Sequence, residues 1–373
     1  MNKIRVLHLE LSNRIGGIEK FLFNLYKEID KNKVQFDFAT TTLNTAPLEK
    51  KLINLGGNVY HIHAYKNIKL YYKDIEKLIC NGEYDVIHIH KNSATNIIPF
   101  IVIKRNNIKS VIVHSHNTRP SVGNMTKFVH FINRKYLYKN AKVHLACSTE
   151  AGKWLYGNRK YEVIYNGIDI NDFAFNNKKR INIRKSLGIE DSDFVVGNIG
   201  RFEKQKNHKR ILEIFNEIVK IDQNAKLILV GDGYLKNEII KLIEKLGLQK
   251  NVILTGVVDN VNEIVSAIDC FLMPSLYEGL PIAAIEAQIS GASIALSDTI
   301  SPETDIFNKA VWFSLNDKDK DIARKIVKNK IKDRAIDRSK VLKFDVKYTA
   351  NKILNIYSNL IENRSNIIWT MIQ

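Results

Sequence analysis

Two glutamates, Glu278 and Glu286, stand eight positions apart in the segment IDCFLMPSLYEGLPIAAIEAQISGASIALSD, which runs from Ile268 to Asp298. The segment opens with Cys270–Met273, a short apolar run of the kind a buried strand shows. A turn-rich stretch from Pro274 to Leu280 follows. Pro281 then stands where a helix begins, a position at which its missing N–H costs nothing. The helix reads IAAIEAQIS and stops at Gly291, a residue suited to the position just past a helix end. Ser293–Leu296 reads as the next strand. The N-terminus of such a helix offers free N–H groups to an anion. Glu278 lies just before it and Glu286 in its second turn. One carboxylate can face a ligand at the helix tip while the other reaches hydroxyls beside it. A phosphate at the tip, with acids reserved for sugar hydroxyls, is the chemistry of a nucleotide-sugar site.

Other residues fit the same chemistry. Arg201 and Lys206 follow the apolar run Phe194–Ile199 in GRFEKQKNHKR. Cations just beyond the carboxyl end of a parallel strand lie where open α/β sheets bind ligands. A diphosphate leaving group needs such charge as its bond to the sugar breaks. Gly16-Gly17 follows the run Ile4–Leu9 and opens a helical pattern. It is not a dinucleotide fingerprint, and it reads either as a tight turn or as a place where backbone approaches a diphosphate or sugar closely. His114 and His116 end another run in VIVHSHN, and alternation puts both on one side. His88 and His90 in VIHIH form a similar pair. A metal reading of these four is open, but no third-ligand pattern or nearby carboxylate cluster accompanies them, so no metal is expected. Gly231-Asp232-Gly233 closes the run Lys226–Val230, where Gly233 would keep side chains away from a nucleotide. Val257 and Val258 follow the next run, where the main chain would read a base edge. No acidic D-x-D pattern is placed for a metal-bound diphosphate.

The E-x7-E pair embedded in PSLYEGLPIAAIEAQISG resembles that of retaining glycosyltransferases of family 4. Gly16-Gly17, His116, VIYNGID at Val163–Asp169, Gly200-Arg201 with Lys206, and LVGDG at Leu229–Gly233 stand in the family's order. The resemblance covers essentially the whole chain. It implies the GT-B fold, two Rossmann-like domains facing across a cleft with a C-terminal helix crossing back to the first. It implies that Arg201, Lys206 and the N-terminus of the helix at Pro281 hold the leaving diphosphate. Glu278 then holds donor-sugar hydroxyls, Glu286 the ribose, and His116 contacts the sugar near the reacting centre. Gly279, Leu280 and Pro281 join the substrate-binding set, and the Gly16-Gly17 loop lies over the donor. No metal or other cofactor is implied. The donor expected is a nucleotide sugar carrying uridine rather than guanosine diphosphate.

The elements that position these residues alternate between apolar runs and helical patterns, as parallel sheets covered by helices do. At 373 residues, two domains are the default. The expected division is 1–175 for an acceptor-side domain, 176–344 for a nucleotide-sugar domain, and 345–373 for the returning helix. The apolar side of that helix is read at Tyr348, Ile353, Ile356, Tyr357 and Leu360. No run is long enough to span a bilayer, no signal-peptide core opens the chain, and the three separated cysteines read as reduced thiols.

Charge is uneven. Residues 1–180 carry 29 Lys and Arg against 14 Asp and Glu, leaving 28 against 25 for the remainder of the net +18. Residues 101–160 hold 12 basic groups and a single acid, Glu150. Such a field attracts polyanions. Phe128, Phe131, Tyr136 and Tyr138 interleave with Lys127, Arg134, Lys135, Lys139 and Lys142, which suits a helix on anionic headgroups as well as one packed on a sheet. The expectation is a cytoplasmic enzyme, peripheral on the inner face of the cell membrane. Its acceptor would be a lipid-linked or oligosaccharide chain, in bacterial capsule or exopolysaccharide synthesis. The alternatives are a nucleotide-sugar epimerase of the same fold, for which no proton-abstracting acids stand out, and a basic nucleic-acid-binding protein. No nucleic-acid-binding signature accompanies the charge, so no nucleic acid is expected as a partner.

Overall fold

The computed structural model describes residues 3–12, 16–46, 48–117, 123–330 and 333–372, with the backbone alone from residue 363 on. The chain forms two compact units, Met1–Ile168 with Lys343–Gln373, and Asp169–Leu342. Residues 169–175 thus group with the second unit and 343–344 with the first, so the chain changes units earlier than composition suggests.

The first unit is built on β1 (Ile4–Leu11), β2 (Val34–Thr40), β3 (Asn58–His61), β4 (Val86–Lys91), β5 (Val111–Ser115), β6 (Val143–Ala146) and β7 (Glu162–Val163). They pair in parallel in the order β3-β2-β1-β4-β5-β6-β7. Both faces of this sheet are covered, so successive strand residues are apolar. Val6 packs into one core, while Leu7 and Leu9 pack into the other. The helix Val346–Ile372 closes the first of these cores. Ala350, Ile353, Leu354, Tyr357 and Leu360 recur at helical spacing and pack with Leu22 and Phe36. Each large side chain so buried contributes about 1.5–3 kcal/mol. Tyr348, read as part of that face, is 50% exposed instead. The backbone stays helical beyond Glu362, through Ile372.

The second unit is built on β8 (Val195–Ile199), β9 (Lys226–Val230), β10 (Val252–Gly256), β11 (Cys270–Met273), β12 (Ser293–Ser297) and β13 (Val311–Phe313), in the parallel order β10-β9-β8-β11-β12-β13. In each sheet the chain winds outward from one strand, then crosses back to its other side. The reversals fall between β1 and β4 and between β8 and β11. There the loops leaving the strands diverge and leave room for a ligand.

Asp269, one residue before β11, holds the second unit together from the opposite edge. Its carboxylate accepts from Arg184 Nη2 at 2.7 Å, Arg180 Nη2 at 2.8 Å, Arg334 Nη2 at 2.7 Å and the Val195 amide at 2.8 Å. Burial pushes its pKa up, but Arg184, the Val195 amide and the other two arginines outweigh that and hold it below the usual carboxylate range. Arg184 spends its remaining donors on the carbonyls of Ala267, Glu190, Asp191 and Asp193. Removing the carboxylate leaves three guanidinium groups short of a counter-charge. Asp269→Ala should therefore cost about 3–5 kcal/mol, the scale for breaking a buried ion pair from one side. Urea denaturation checks this, and a loss below about 1 kcal/mol would contradict the role given to Asp269.

Candidate functional site

In the second unit, the β8/β11 reversal collects the expected residues. The loop after β8 is tied to both neighbours. The Phe202 amide donates to the Asp232 carbonyl at 2.9 Å and the Leu235 amide to the Phe202 carbonyl at 3.1 Å. On the other side, the Leu276 amide donates to the Gln205 carbonyl at 2.9 Å, Gln205 Nε2 to the Tyr277 carbonyl at 2.9 Å, and Asn207 Nδ2 to the Pro274 carbonyl at 3.0 Å. These bonds dock the loop after β8 on the loop after β11. They bring Lys206 Nζ to within 2.6 Å of Glu278 Oε1. The pair is mostly shielded, with the side chains 20% and 10% exposed. Two residues that sequence could place only in separate loops are thus one ion pair.

Pro281 is buried and occupies the N-cap position of the helix Ile282–Ile289, one residue before the helix proper. It carries no capping oxygen, so the first amides of this helix receive no side-chain cap from it. Gly279 and Leu280 are half-buried and lead directly into that N-terminus. Glu286 lies in the second turn and is half-buried. The helix is anchored from behind by buried Gln288, which donates to the Thr304 carbonyl at 2.7 Å and accepts from the Ile306 amide at 3.0 Å. Gly291 follows with φ +69°, as the helix stop requires.

Arg201 differs from Lys206 in exposure and partner. It is 71% exposed and paired with Glu203 at 2.8 Å. Val257 is 80% exposed beyond β10, while Val258 packs partly on the core. Gly233 has a packing reason beside the one read in sequence. A Cβ there would sit 2.6 Å from the Phe202 carbonyl oxygen, so packing against the β8 loop already demands glycine. Gly231 is stricter still, with φ +136° and the Gly200 carbonyl 2.1 Å from where a Cβ would lie.

In the first unit, Gly16 is the N-cap of the helix Gly17–Glu28. Its amide donates to Glu19 Oε2 at 2.9 Å, and the Ser12 amide donates to Glu19 Oε1 at 2.8 Å. Glu19 thereby ties the end of β1 to the start of this helix. Gly17 is exposed, and a Cβ there would meet no described atom within 4 Å. Among the described residues, packing gives no reason for glycine at 17.

His116 follows β5 directly, its amide donating to the Lys91 carbonyl at 2.9 Å. It belongs to a cluster the linear sequence shows only in part. Parallel register sets His8 beside His88 and His90 beside His114. His116 Nε2 lies 2.9 Å from His90 Nδ1, and His90 Nε2 lies 3.0 Å from His8 Nδ1. His88 Nδ1 is 2.8 Å from the Tyr357 hydroxyl of the C-terminal helix. Burial pushes His116 and His8 each down to about 3. It pushes His88, His90 and His114 well below the ordinary histidine value, with neighbouring imidazoles adding to the effect. The cluster is therefore neutral at physiological pH, and His116 can donate or accept one hydrogen bond without carrying charge.

A second group went unread. Glu10, in β1, has φ +73°, a left-handed conformation that costs a non-glycine residue of order 1 kcal/mol. Its Oε1 accepts from Lys91 Nζ at 2.6 Å, Asn96 Nδ2 at 2.8 Å and the Tyr71 hydroxyl at 3.0 Å. Lys91 is buried, and burial pulls its pKa down while Glu10 raises it. Both acid and base sit at the β1/β4 reversal. A lone glutamate in LHLEL and a lysine after VIHIH carry no spacing signal. Only the strand order joins them.

With this geometry in hand, the chain can be set beside known proteins. The model of Glycosyltransferase Family 4 matches residues 15–172, and that of Glycosyl transferases group 1 matches residues 179–339. The chain is 30% identical over 311 residues to EpsF of Bacillus subtilis (strain 168), named as a glycosyltransferase, with 81% of each chain covered. It is 25% identical over 386 residues to a UDP-Gal:alpha-D-GlcNAc-diphosphoundecaprenol alpha-1,3-galactosyltransferase of Escherichia coli, covering 97% of this chain and 99% of that one. Among solved structures, HepE of Anabaena in complex with UDP superposes with a TM-score of 0.72 at 16% identity, over 98% of this chain and 100% of that one. The chain belongs to glycosyltransferase family 4 and has the GT-B fold of two Rossmann-like units.

Proposed function

We propose that this glycosyltransferase is a retaining enzyme. It moves a sugar from a uridine-diphosphate sugar to a lipid-linked or glycan acceptor, in the synthesis of a bacterial capsule or exopolysaccharide. The observation that carries the reading is the convergence at the β8/β11 reversal of Lys206, Glu278 and the N-terminus of the helix Ile282–Ile289. A fixed cation beside uncapped helix amides is a preorganised receptor for a diphosphate. The UDP bound by HepE and the UDP-galactose and lipid-diphosphate acceptor named for the Escherichia coli relative support the donor and acceptor classes.

In this scheme Lys206, Arg201 and the helix N-terminus hold the diphosphate, and Glu286 holds the ribose hydroxyls. Glu278 holds donor-sugar hydroxyls and orients Lys206. The bond between the anomeric carbon and the diphosphate oxygen breaks, and its electron pair leaves with the diphosphate. The acceptor hydroxyl attacks from the same face and passes its proton to the departing phosphate oxygen, so the anomeric configuration is kept. His116, as a neutral imidazole, contacts the donor sugar. Gly16 and Gly17 let the backbone approach the donor, and the main chain at Val257 and Val258 reads the base. The cations supply the charge that a divalent ion would otherwise bring, and the leaving-group step needs no metal.

Arg201 and Lys206 differ in what else they hold. Replacing either by alanine should cost about 3 kcal/mol in the chemical step, or roughly 100- to 1,000-fold in kcat. Arg201→Ala should leave stability within about 0.5 kcal/mol, because its side chain is exposed. Lys206→Ala should also destabilise by about 1–3 kcal/mol, because Glu278 loses its partner. Turnover assays paired with denaturation check both. Near-normal turnover in the two variants would remove the leaving-group account.

The enzyme also docks on an anionic membrane surface, in this reading, as a peripheral protein of the cytoplasmic leaflet. No helix among the described residues is long and apolar enough to cross a membrane. The helix Asn124–Lys139 supports docking in an altered form. Tyr136 and Tyr138 turn inward onto the core, while Met125, Phe128, Phe131 and Ile132 are 74%, 61%, 51% and 59% exposed. Met125, Phe128 and Ile132 continue at helical spacing into exposed Lys135 and Lys139. An apolar stripe running into lysines matches a headgroup boundary. Each large apolar side chain that enters the boundary contributes about 1.5–3 kcal/mol. Phe128→Asp with Ile132→Asp should therefore weaken binding to phosphatidylserine-containing vesicles by roughly 100-fold or more. Activity on a short soluble acceptor should persist. Sedimentation unchanged by the double variant, or no binding even at low salt, would contradict membrane docking.

A further inference from the structure

We propose that His90, His114 and His116 form a binding site for a divalent transition-metal ion, zinc being the ion whose ligand preference they match. The three residues offer one nitrogen each, all within 4.8 Å of one another. His90 Nδ1 and His116 Nε2 already lie 2.9 Å apart. Two imidazole nitrogens each about 2.1 Å from a tetrahedral zinc are roughly 3.4 Å from one another. That pair needs only a small adjustment, and a His114 nitrogen lies within 4.8 Å of both.

A poorly satisfied side chain stands at the same place. Both ring nitrogens of His114 are buried, and neither makes a hydrogen bond of normal geometry among the described residues, although one approaches the backbone of Ile164. Leaving such a group unpaired costs about 1–3 kcal/mol, and coordination of His114 would recover that for one nitrogen. His90 carries the support that a ligating imidazole ordinarily has, because its other nitrogen is held by His8 Nδ1 at 3.0 Å. Phe21 packs edge-on against His114, with ring centroids 5.1 Å apart, and shields the site. His116 is partly exposed at the strand end, which gives an ion a route in and a water the fourth position.

His8, His88 and His90 also place nitrogens within 4.8 Å of one another. That trio is fully buried, and His88 Nδ1 is engaged by the Tyr357 hydroxyl. Because the trios share His90, one ion excludes the other, and the accessible trio is favoured. The expectation of no metal rested on linear spacing, in which VIHIH and VIVHSH each give two imidazoles and no third ligand. The in-register pairing of β4 with β5 supplies the third. The ion takes no part in the leaving-group step proposed above; while bound it occupies His116 in place of the sugar contact read for that residue, and its binding is measured without turnover.

The test uses the full chain without a histidine tag, stripped with chelator and dialysed. Calorimetry with zinc should show a single ion per chain and a raised Tm, since an ion that binds only the folded state stabilises it. Cobalt should give the visible bands of a nitrogen-ligated tetrahedral ion, a readout that needs no variant. His116→Gln should weaken zinc by more than the roughly 10- to 100-fold that loss of a supporting residue costs. His88→Asn should leave binding within a few-fold. Absence of both zinc heat and cobalt bands in the wild type would overturn the proposal. So would zinc binding that survives His116→Gln but is lost in His88→Asn.

Discussion

A parallel sheet sends every strand's carboxyl end to one edge, and the loops there can separate only where the strand order reverses. That constraint decides where this chain can do chemistry. Between β8 and β11 the reversal would leave a gap between two loops, and hydrogen bonds from Gln205 and Asn207 bridge it. The bridge holds Lys206 and Glu278 at 2.6 Å, at the foot of the helix that starts after Pro281. Such a shielded pair contributes modestly to stability, because desolvation offsets much of the Coulomb attraction. Its value is positional: a lysine otherwise free to sample many rotamers is held in one place. A long, flexible cation would spend about 2 kcal/mol of side-chain entropy on each engagement with an anion. Here part of that cost is met in the folded protein before any ligand arrives.

The same constraint acts differently in the first unit. The reversal between β1 and β4 gathers Glu10, Lys91 and the histidine cluster rather than an exposed cation and an uncapped helix. Burial is deeper and the groups are mutually bonded. Five imidazoles in a core are tolerable only because burial keeps them uncharged. Glu10 keeps a strained backbone because three donors converge on its carboxylate.

Much of this was legible in the sequence, for a definable reason. Strands buried on both faces read as apolar runs, and the runs from Ile4–Leu9 to Ser293–Leu296 became strands whose bounds moved by two residues at most. Glu286 was legible because it falls between Pro281 and Gly291, which mark the helix ends, and Glu278 because it stands just before Pro281. Contacts across strand order were not legible. His8 pairs with His88, and Glu10 with Lys91, because β1 neighbours β4, which no local pattern reveals. Faces of the helix Asn124–Lys139 were not separable in the sequence for a related reason. Interleaved aromatics and cations gave the composition of a membrane helix, but Tyr136 and Tyr138 lie on the side that packs against the core, and Met125 and Ile132 complete the exposed stripe. Gly233 was assigned to ligand clearance, and the Phe202 backbone beside it also excludes a side chain.

The central claim is that the β8/β11 reversal binds the donor through its nucleoside diphosphate, with Glu286 on the ribose and Glu278 on the sugar. Calorimetric titration of UDP in the presence of chelator tests it most directly, on the wild-type chain and on Glu286→Ala and Glu278→Ala. The account predicts metal-free UDP binding that Glu286→Ala weakens by roughly 10-fold or more, the loss of a hydrogen bond to a charged group. Glu278→Ala should weaken UDP only a few-fold, through the lost ordering of Lys206, and weaken the full UDP-sugar by more. UDP binding that is absent without metal, or lost in Glu278→Ala and retained in Glu286→Ala, would contradict it.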